Sequence, residues 1–160
     1  MKESMRVIVA ELDTTVREFS TRVRQIPEAE LRAKPRPGKW SRIEVIGHLI
    51  DSAHSNLRRF VTAQYETSPP HIIYDQNFWV TANGYQQVPV EDVISLWILM
   101  NKRVATVLAQ MPDGNYTKQC DTGRGQKELH TIEWLAADYI KHLKHHLNQV
   151  IPGSYPVTYP

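Results

Sequence analysis

Apolar positions recur along most of this chain at three- to five-residue spacing, the period of amphipathic helices. Val7, Leu12, Val16, Phe19 and Val23 mark a first helix over about Met5 to Gln25. A second stripe runs through Ile43, Ile46, Leu49/Ile50, Ala53, Leu57 and Phe60/Val61, and a third through Ile94, Trp97/Ile98, Val104, Val107/Leu108 and Met111. The fourth comprises Ile132, Leu135/Ala136, Tyr139, Leu143, Leu147 and Val150. Start signals agree with these stripes. Ser41 and Glu44 form an S-x-x-E capping box, Pro89 precedes Glu91 and Asp92, and Thr131 is a candidate N-cap before Ile132.

Between the stripes lie proline and glycine marks: Pro27, Pro35-Arg36-Pro37-Gly38, Pro69-Pro70, Pro89, Pro112-Asp113-Gly114, Gly123 with Gly125, and Pro152-Gly153. Four helices of about twenty residues, each with one apolar face, predict an all-α, up-down four-helix bundle with long inter-helix loops. The loop from Thr67 to Val88 carries Tyr74, Phe78, Trp79 and Tyr85, so it is expected to pack, with a short helix near Asp75–Ala82. Strand signals are weak throughout.

Composition narrows the picture. The 160 residues suit one domain, spanning residues 1–160, and 41% hydrophobic with 22% charged residues is the profile of a globular protein rather than a disordered one. A net charge of +2 argues against a dedicated nucleic-acid binder. The longest strongly apolar run, Val93 to Asn101, is far short of the ~20 residues that cross a bilayer, and the charged N-terminus lacks the apolar stretch of a signal peptide. The single cysteine, Cys120, excludes an intrachain disulfide and suits a reducing compartment. No membrane association and a cytoplasmic location are the expectation. Cys120 itself has no positive neighbour in sequence to activate it.

The histidines carry the candidate chemistry. Four of the seven fall between His130 and His146. His142 and His146 are an i, i+4 pair, which puts two imidazoles a turn apart on one helix face with the spacing to share a metal ion. On a helical wheel centred on Tyr139, His146 falls near about −20° and His142 near about −60°, within or at the rim of the apolar face, whereas His145 falls near about −120°. Core-edge histidines satisfied by a carboxylate or carbonyl would fit the same pattern, since a buried ring nitrogen needs a partner. A third ligand would separate the two readings. The second helix offers His48 and His54, and periodicity slightly favours His54, leaving the choice open.

Gly38-Lys39-Trp40-Ser41 followed by Val45-Ile46-Gly47-His48-Leu49-Ile50-Asp51-Ser52 resembles the second-helix signature of the DinB-like superfamily. Arg59-Phe60, Tyr74-Asp75-Gln76-Asn77-Phe78-Trp79, Thr131-Ile132-Glu133 and His142-x-x-His145-His146 continue the likeness in order to about Val150, closest to the YfiT-like metal-dependent hydrolases. One departure stands out: where such proteins often end the last motif with a further histidine, this chain has Asn148-Gln149.

The resemblance implies a four-helix bundle and a divalent metal, zinc or nickel, on His48, His142 and His146. Family analogy also implies a homodimer. Three neutral imidazoles leave an ion its charge and an open position, the arrangement of catalytic rather than structural zinc. The leading expectation is hydrolysis of a small electrophilic substrate by metal-activated water. The alternatives are transfer of a bacillithiol- or mycothiol-type low-molecular-weight thiol in detoxification, and a non-catalytic metal-binding stress-response protein.

Asp51, one turn from His48, is a candidate catalytic residue that could orient an imidazole or take a proton; a structural hydrogen bond to the following loop explains it equally well. Tyr74, Arg36 and Lys39 are candidate substrate-binding residues. The last two belong to a basic run with Arg32, Lys34 and Arg42, which reads either as a solvated loop or as a dock for an anionic cofactor. Nucleic acid is not expected there, because aromatic residues are not interleaved with the charges.

Overall fold

In the computed structural model, which describes residues 1–159, four long helices form the bundle: α1 (Glu3–Val23), α3 (Arg42–Tyr65), α5 (Val90–Gln110) and α6 (Ile132–Val150). Each begins within two residues of the expected start. Ser41 caps α3 through its side chain, which accepts from the Glu44 amide, while Glu44 Oε2 accepts from the Ser41 amide at 2.7 Å. Thr131 caps α6 by accepting from the Trp134 amide. The expected short helix is α4 (Gln76–Asn83), capped by Asp75.

Periodicity did not announce the helical turn α2 (Glu28–Arg32), a 3-10 turn at Asp113–Thr117, or a small hairpin. The hairpin pairs β1 (Gln119–Asp121) with β2 (Leu129–Thr131) in antiparallel register, Cys120 opposite His130. Elements of three to five residues hold too few positions for a period to show.

The side chains that tie the helix ends together fix the chain directions. Arg24 at the end of α1 pairs with Glu91 at the start of α5, while Lys2 and Ser4 at the start of α1 reach Glu133 at the start of α6. Asn115 and Lys118, after α5, bond Gln64 at the end of α3. So α1 and α6 run one way, and α3 and α5 run the other. Each helix packs on its parallel mate and on one helix of the opposite pair: α3 against α5 and α6, α1 against α6 and α5.

Parallel neighbours cannot be joined by a tight turn. The segment from Glu66 to Pro89 must return the full length of the bundle, and it does so across the outside of α3. Arg59 donates to the Ile72 carbonyl, Tyr85 and Asn83 bond Asp51, and Gln86 bonds Ser41 and Glu44. Covered in this way, α3 is buried on every side from Ile43 to Ala53.

The core holds Met5, Leu12, Phe19, Ile46, Leu49, Phe60, Ile94, Trp97, Leu108, Leu135 and Leu143, with Phe19 meeting the edge of Trp97 at 6.0 Å between ring centres. One polar pair crosses it satisfied: the Tyr139 hydroxyl donates to Asn101 Oδ1 at 2.7 Å, and Asn101 Nδ2 to the Trp97 carbonyl. Among the described residues, no helix is long and apolar enough to cross a membrane.

Candidate metal centre

Antiparallel packing of α3 on α6 brings the start of one against the end of the other, and there His48 meets His142 and His146. One nitrogen from each ring lies within 4.8 Å of the others. His48 Nε2 and His142 Nε2 are 3.3 Å apart, and the ring centres are separated by 5.3, 4.6 and 4.5 Å. Two nitrogens bound at ~2.0–2.1 Å to one tetrahedral ion stand about 3.3–3.4 Å apart, so this first edge already has the required length.

The opposite ring edges are partly held. His146 Nδ1 donates to Gln149 Oε1 at 3.0 Å, which leaves its Nε2 free. Ser52 Oγ lies 3.5 Å from His142 Nδ1, and Gln149 Nε2 contacts His145 Nε2 at 3.3 Å. Trp40 lies over His48 with 5.0 Å between ring centres. His48 Nδ1 is buried with no partner.

Electrostatics keep the cluster neutral. Burial, with a smaller contribution from His146, pushes the His48 imidazolium down to about 3. Burial and the three neighbouring histidines hold His142 well below the ordinary value. His146 is lowered chiefly by burial, opposed by the hydrogen bond it donates to Gln149. Three rings that resist protonation present three lone pairs at neutral pH, the form a cation needs.

His54, favoured by periodicity, is exposed and lies against Trp79. The wheel assumes one buried face, whereas from Ile43 to Ala53 the returning segment buries the outer side of α3 too, so the stripe does not tell which positions there are inside. His48 therefore sits inside the protein at 1% exposure without lying on the apolar stripe.

Asp51 is also buried. Its Oδ1 accepts from Tyr85 at 2.7 Å and Asn83 at 3.0 Å, while Oδ2 has no partner. Burial raises this carboxyl to about 6, the Tyr85 bond opposing. Tyr74 is half-buried beside Asp51 and Ser52, and its phenol is pushed up to about 12, mainly by burial.

A cleft of about 870 Å³ reaches the cluster at His146, and its lining includes Gln149, Trp40, Asn77, Arg36 and Lys39. Lys34 is paired with Glu44, Arg42 with Glu30 and Arg32 with Glu28. No carboxylate pairs with Arg36 or Lys39 among the described residues. Cys120 is buried, its thiol raised to about 11 by burial.

Sequence reading gave no site role to Gln149, Tyr85 or Asn83, which bond His146 and Asp51. Gln149 was visible in principle, three residues after His146, where a helix returns to the same face. The others approach from segments without a period.

Known proteins give this geometry a setting. A curated protein of Geobacillus thermodenitrificans, called a "putative metal-dependent hydrolase", is 24% identical over 147 residues, covering 85% of this chain and 82% of its own. YfiT from Bacillus subtilis, described as "a probable metal-dependent hydrolase with an unusual four-helix bundle topology", superposes with a TM-score of 0.83 at 21% identity, over 94% of this chain and 85% of its own. A mutant of the mycothiol-dependent maleylpyruvate isomerase superposes with a TM-score of 0.75 at 11% identity; the match covers 99% of this chain but only 65% of the isomerase chain. The sequence profile of the DinB superfamily matches residues 11–150. On that match the chain belongs to the DinB superfamily.

Proposed function

We propose that this chain is a metal-dependent enzyme in which His48, His142 and His146 hold one divalent cation, zinc or nickel, and that it hydrolyses a small electrophilic substrate. The observation that carries the reading is the 3.3 Å Nε2–Nε2 edge between histidines from two helices, in a cluster whose rings stay neutral. The names of the Geobacillus protein and of YfiT point the same way. A bound cation supplies a Lewis acid that polarises the electrophile and brings the pKa of water toward ~7.

The chain's own residues do the rest. Ser52 and Gln149 fix the planes of His142 and His146, the role outer-shell partners play around metal ligands. Trp40 screens the His48 ring from water. Arg36 and Lys39 attract an anionic part of the substrate into the cleft, and the Tyr74 hydroxyl is a donor on the Ser52 side. Asp51, with one carboxylate oxygen unpaired and a raised pKa, is the group able to hold a proton one turn from His48. A small-molecule substrate, a cytoplasmic location and a homodimer belong to the same reading.

Elemental analysis of protein purified without a histidine tag, then reconstituted with zinc or nickel, tests it. The expectation is about one ion per chain in the wild type, His142→Ala falling at least ~10-fold in affinity, and chelator-sensitive turnover of small esters, amides or lactones. A wild-type chain that takes up neither metal overturns it.

The unpaired Arg36 and Lys39 also favour a second reading, in which the centre activates the thiolate of a carboxylate-bearing low-molecular-weight thiol for transfer to an electrophile. The fold likeness to a mycothiol-dependent isomerase gives it support. Thiol transfer stops without added thiol and weakens when Arg36 and Lys39 are both changed to Ala, whereas hydrolysis of a neutral substrate responds to neither.

A further inference from the structure

After α6 the chain turns at Pro152-Gly153 and folds back along its own helix. Two pins hold this strap. Tyr155 and Asn148 exchange a pair of hydrogen bonds at 2.9 Å, from the Tyr155 amide to Asn148 Oδ1 and from Asn148 Nδ2 to the Tyr155 carbonyl. Farther on, the Tyr159 hydroxyl donates to Asp138 Oδ2 at 3.1 Å, one turn before His142 on α6. At this second anchor the Tyr159 ring lies against two imidazoles, its centre 5.5 Å from that of His142 in an edge-to-face arrangement and 5.6 Å from that of His145.

His145 in turn contacts Gln149, and Gln149 bonds His146. One phenol thus braces His142 directly and His146 through two intermediates. The basic cleft includes His146 but neither His142 nor Tyr159. The strap therefore packs on a side of the cluster that the cleft does not reach.

Resting on the metal-centre reading above, we propose that Tyr159 is a positioning residue of that centre. Its ring fixes the His142 imidazole in the ligating orientation, and its Asp138 anchor seals the strap over the side from which the ion would otherwise leave. Ions are retained on the strap side, and substrate enters from the Arg36/Lys39 side.

The test loads the 160-residue chain with zinc and follows release to a chromogenic chelator, alongside the thermal unfolding of the metal-free proteins. Tyr159→Ala is expected to bind one ion per chain yet release it about tenfold faster, the size typical of losing an outer-shell partner. Tyr159→Phe, which keeps the ring and loses the anchor, is expected to fall between the two. Proton spectra of the metal-free protein give a readout independent of zinc: the His142 ring resonances lose their ring-current shift in Tyr159→Ala and keep most of it in Tyr159→Phe.

Release from Tyr159→Ala at the wild-type rate, with the wild type holding zinc, overturns this proposal alone. A wild type that retains no zinc overturns the metal reading and this inference with it. Faster release matched by an equal loss of metal-free stability, and reproduced by Tyr155→Ala, assigns the effect to general loosening and also overturns it.

Discussion

At the residue scale, Gly47 shows how little room the site leaves. It precedes His48, and a Cβ added there would stand 2.1 Å from the Tyr85 ring. The glycine lets the returning segment press its tyrosine onto α3 and deliver the hydroxyl to Asp51. Gly47→Ala is expected to expel that ring at a cost of about 1–3 kcal/mol or more, read as a lowered denaturant midpoint. Because Asp51 would lose its Tyr85 bond, the metal affinity of the variant also reports whether that contact reaches His48. In the sequence, Gly47 reads only as part of the His48 motif. Its packing role was not legible, since Tyr85 lies on the far side of a connection with no period of its own.

At the element scale, the four long helices were legible almost to the residue, because each carries an apolar stripe and three have recognisable start signals. The choice between His48 and His54 was not. It turned on whether α3 has a solvent face, which depends on where the Glu66–Pro89 segment runs. Motif likeness, not periodicity, singled out His48.

The Ser41 cap belongs to this scale. Its hydroxyl accepts from the Glu44 amide and from Gln86 Nε2 at 2.6 Å, joining the helix start to the returning segment. Ser41→Ala is expected to cost about 1–2 kcal/mol, the upper part of the range for helix caps, and thermal or denaturant unfolding measures it. A loss of only a few tenths would mean that Gln86 and the Glu44 carboxylate carry the cap without the hydroxyl.

At the scale of the whole molecule, the buried histidines set an acid limit on the metal-free protein. His48 keeps its neutral form down to about 3 in the folded chain, whereas an unfolded histidine takes up a proton near ~6.5. Between those values the unfolded chain binds more protons, so stability is full above about 6.5 and drains away as pH falls toward 3. His142 and His146 shift in the same direction. Unfolding midpoints of metal-free protein from pH 7 to pH 4 should fall steadily, and His48→Phe, which has nothing to protonate, should flatten part of that slope. A slope unchanged by the substitution would place the acid sensitivity elsewhere.

The shared direction of α3 and α5 bears on how the chain assembles. Helical bundles built from successive hairpins can form one local contact after another, and they are quick for that reason. Here the first pair to close through a single connection must span Glu66–Pro89, and the imidazoles of His48 and His142, which meet at the end, start 94 positions apart. Loop-closure entropy is spent before those contacts return anything. Such a topology gives an all-helical protein a higher contact order than a run of hairpins, and the histidine cluster is among the contacts that wait on closing long stretches of chain.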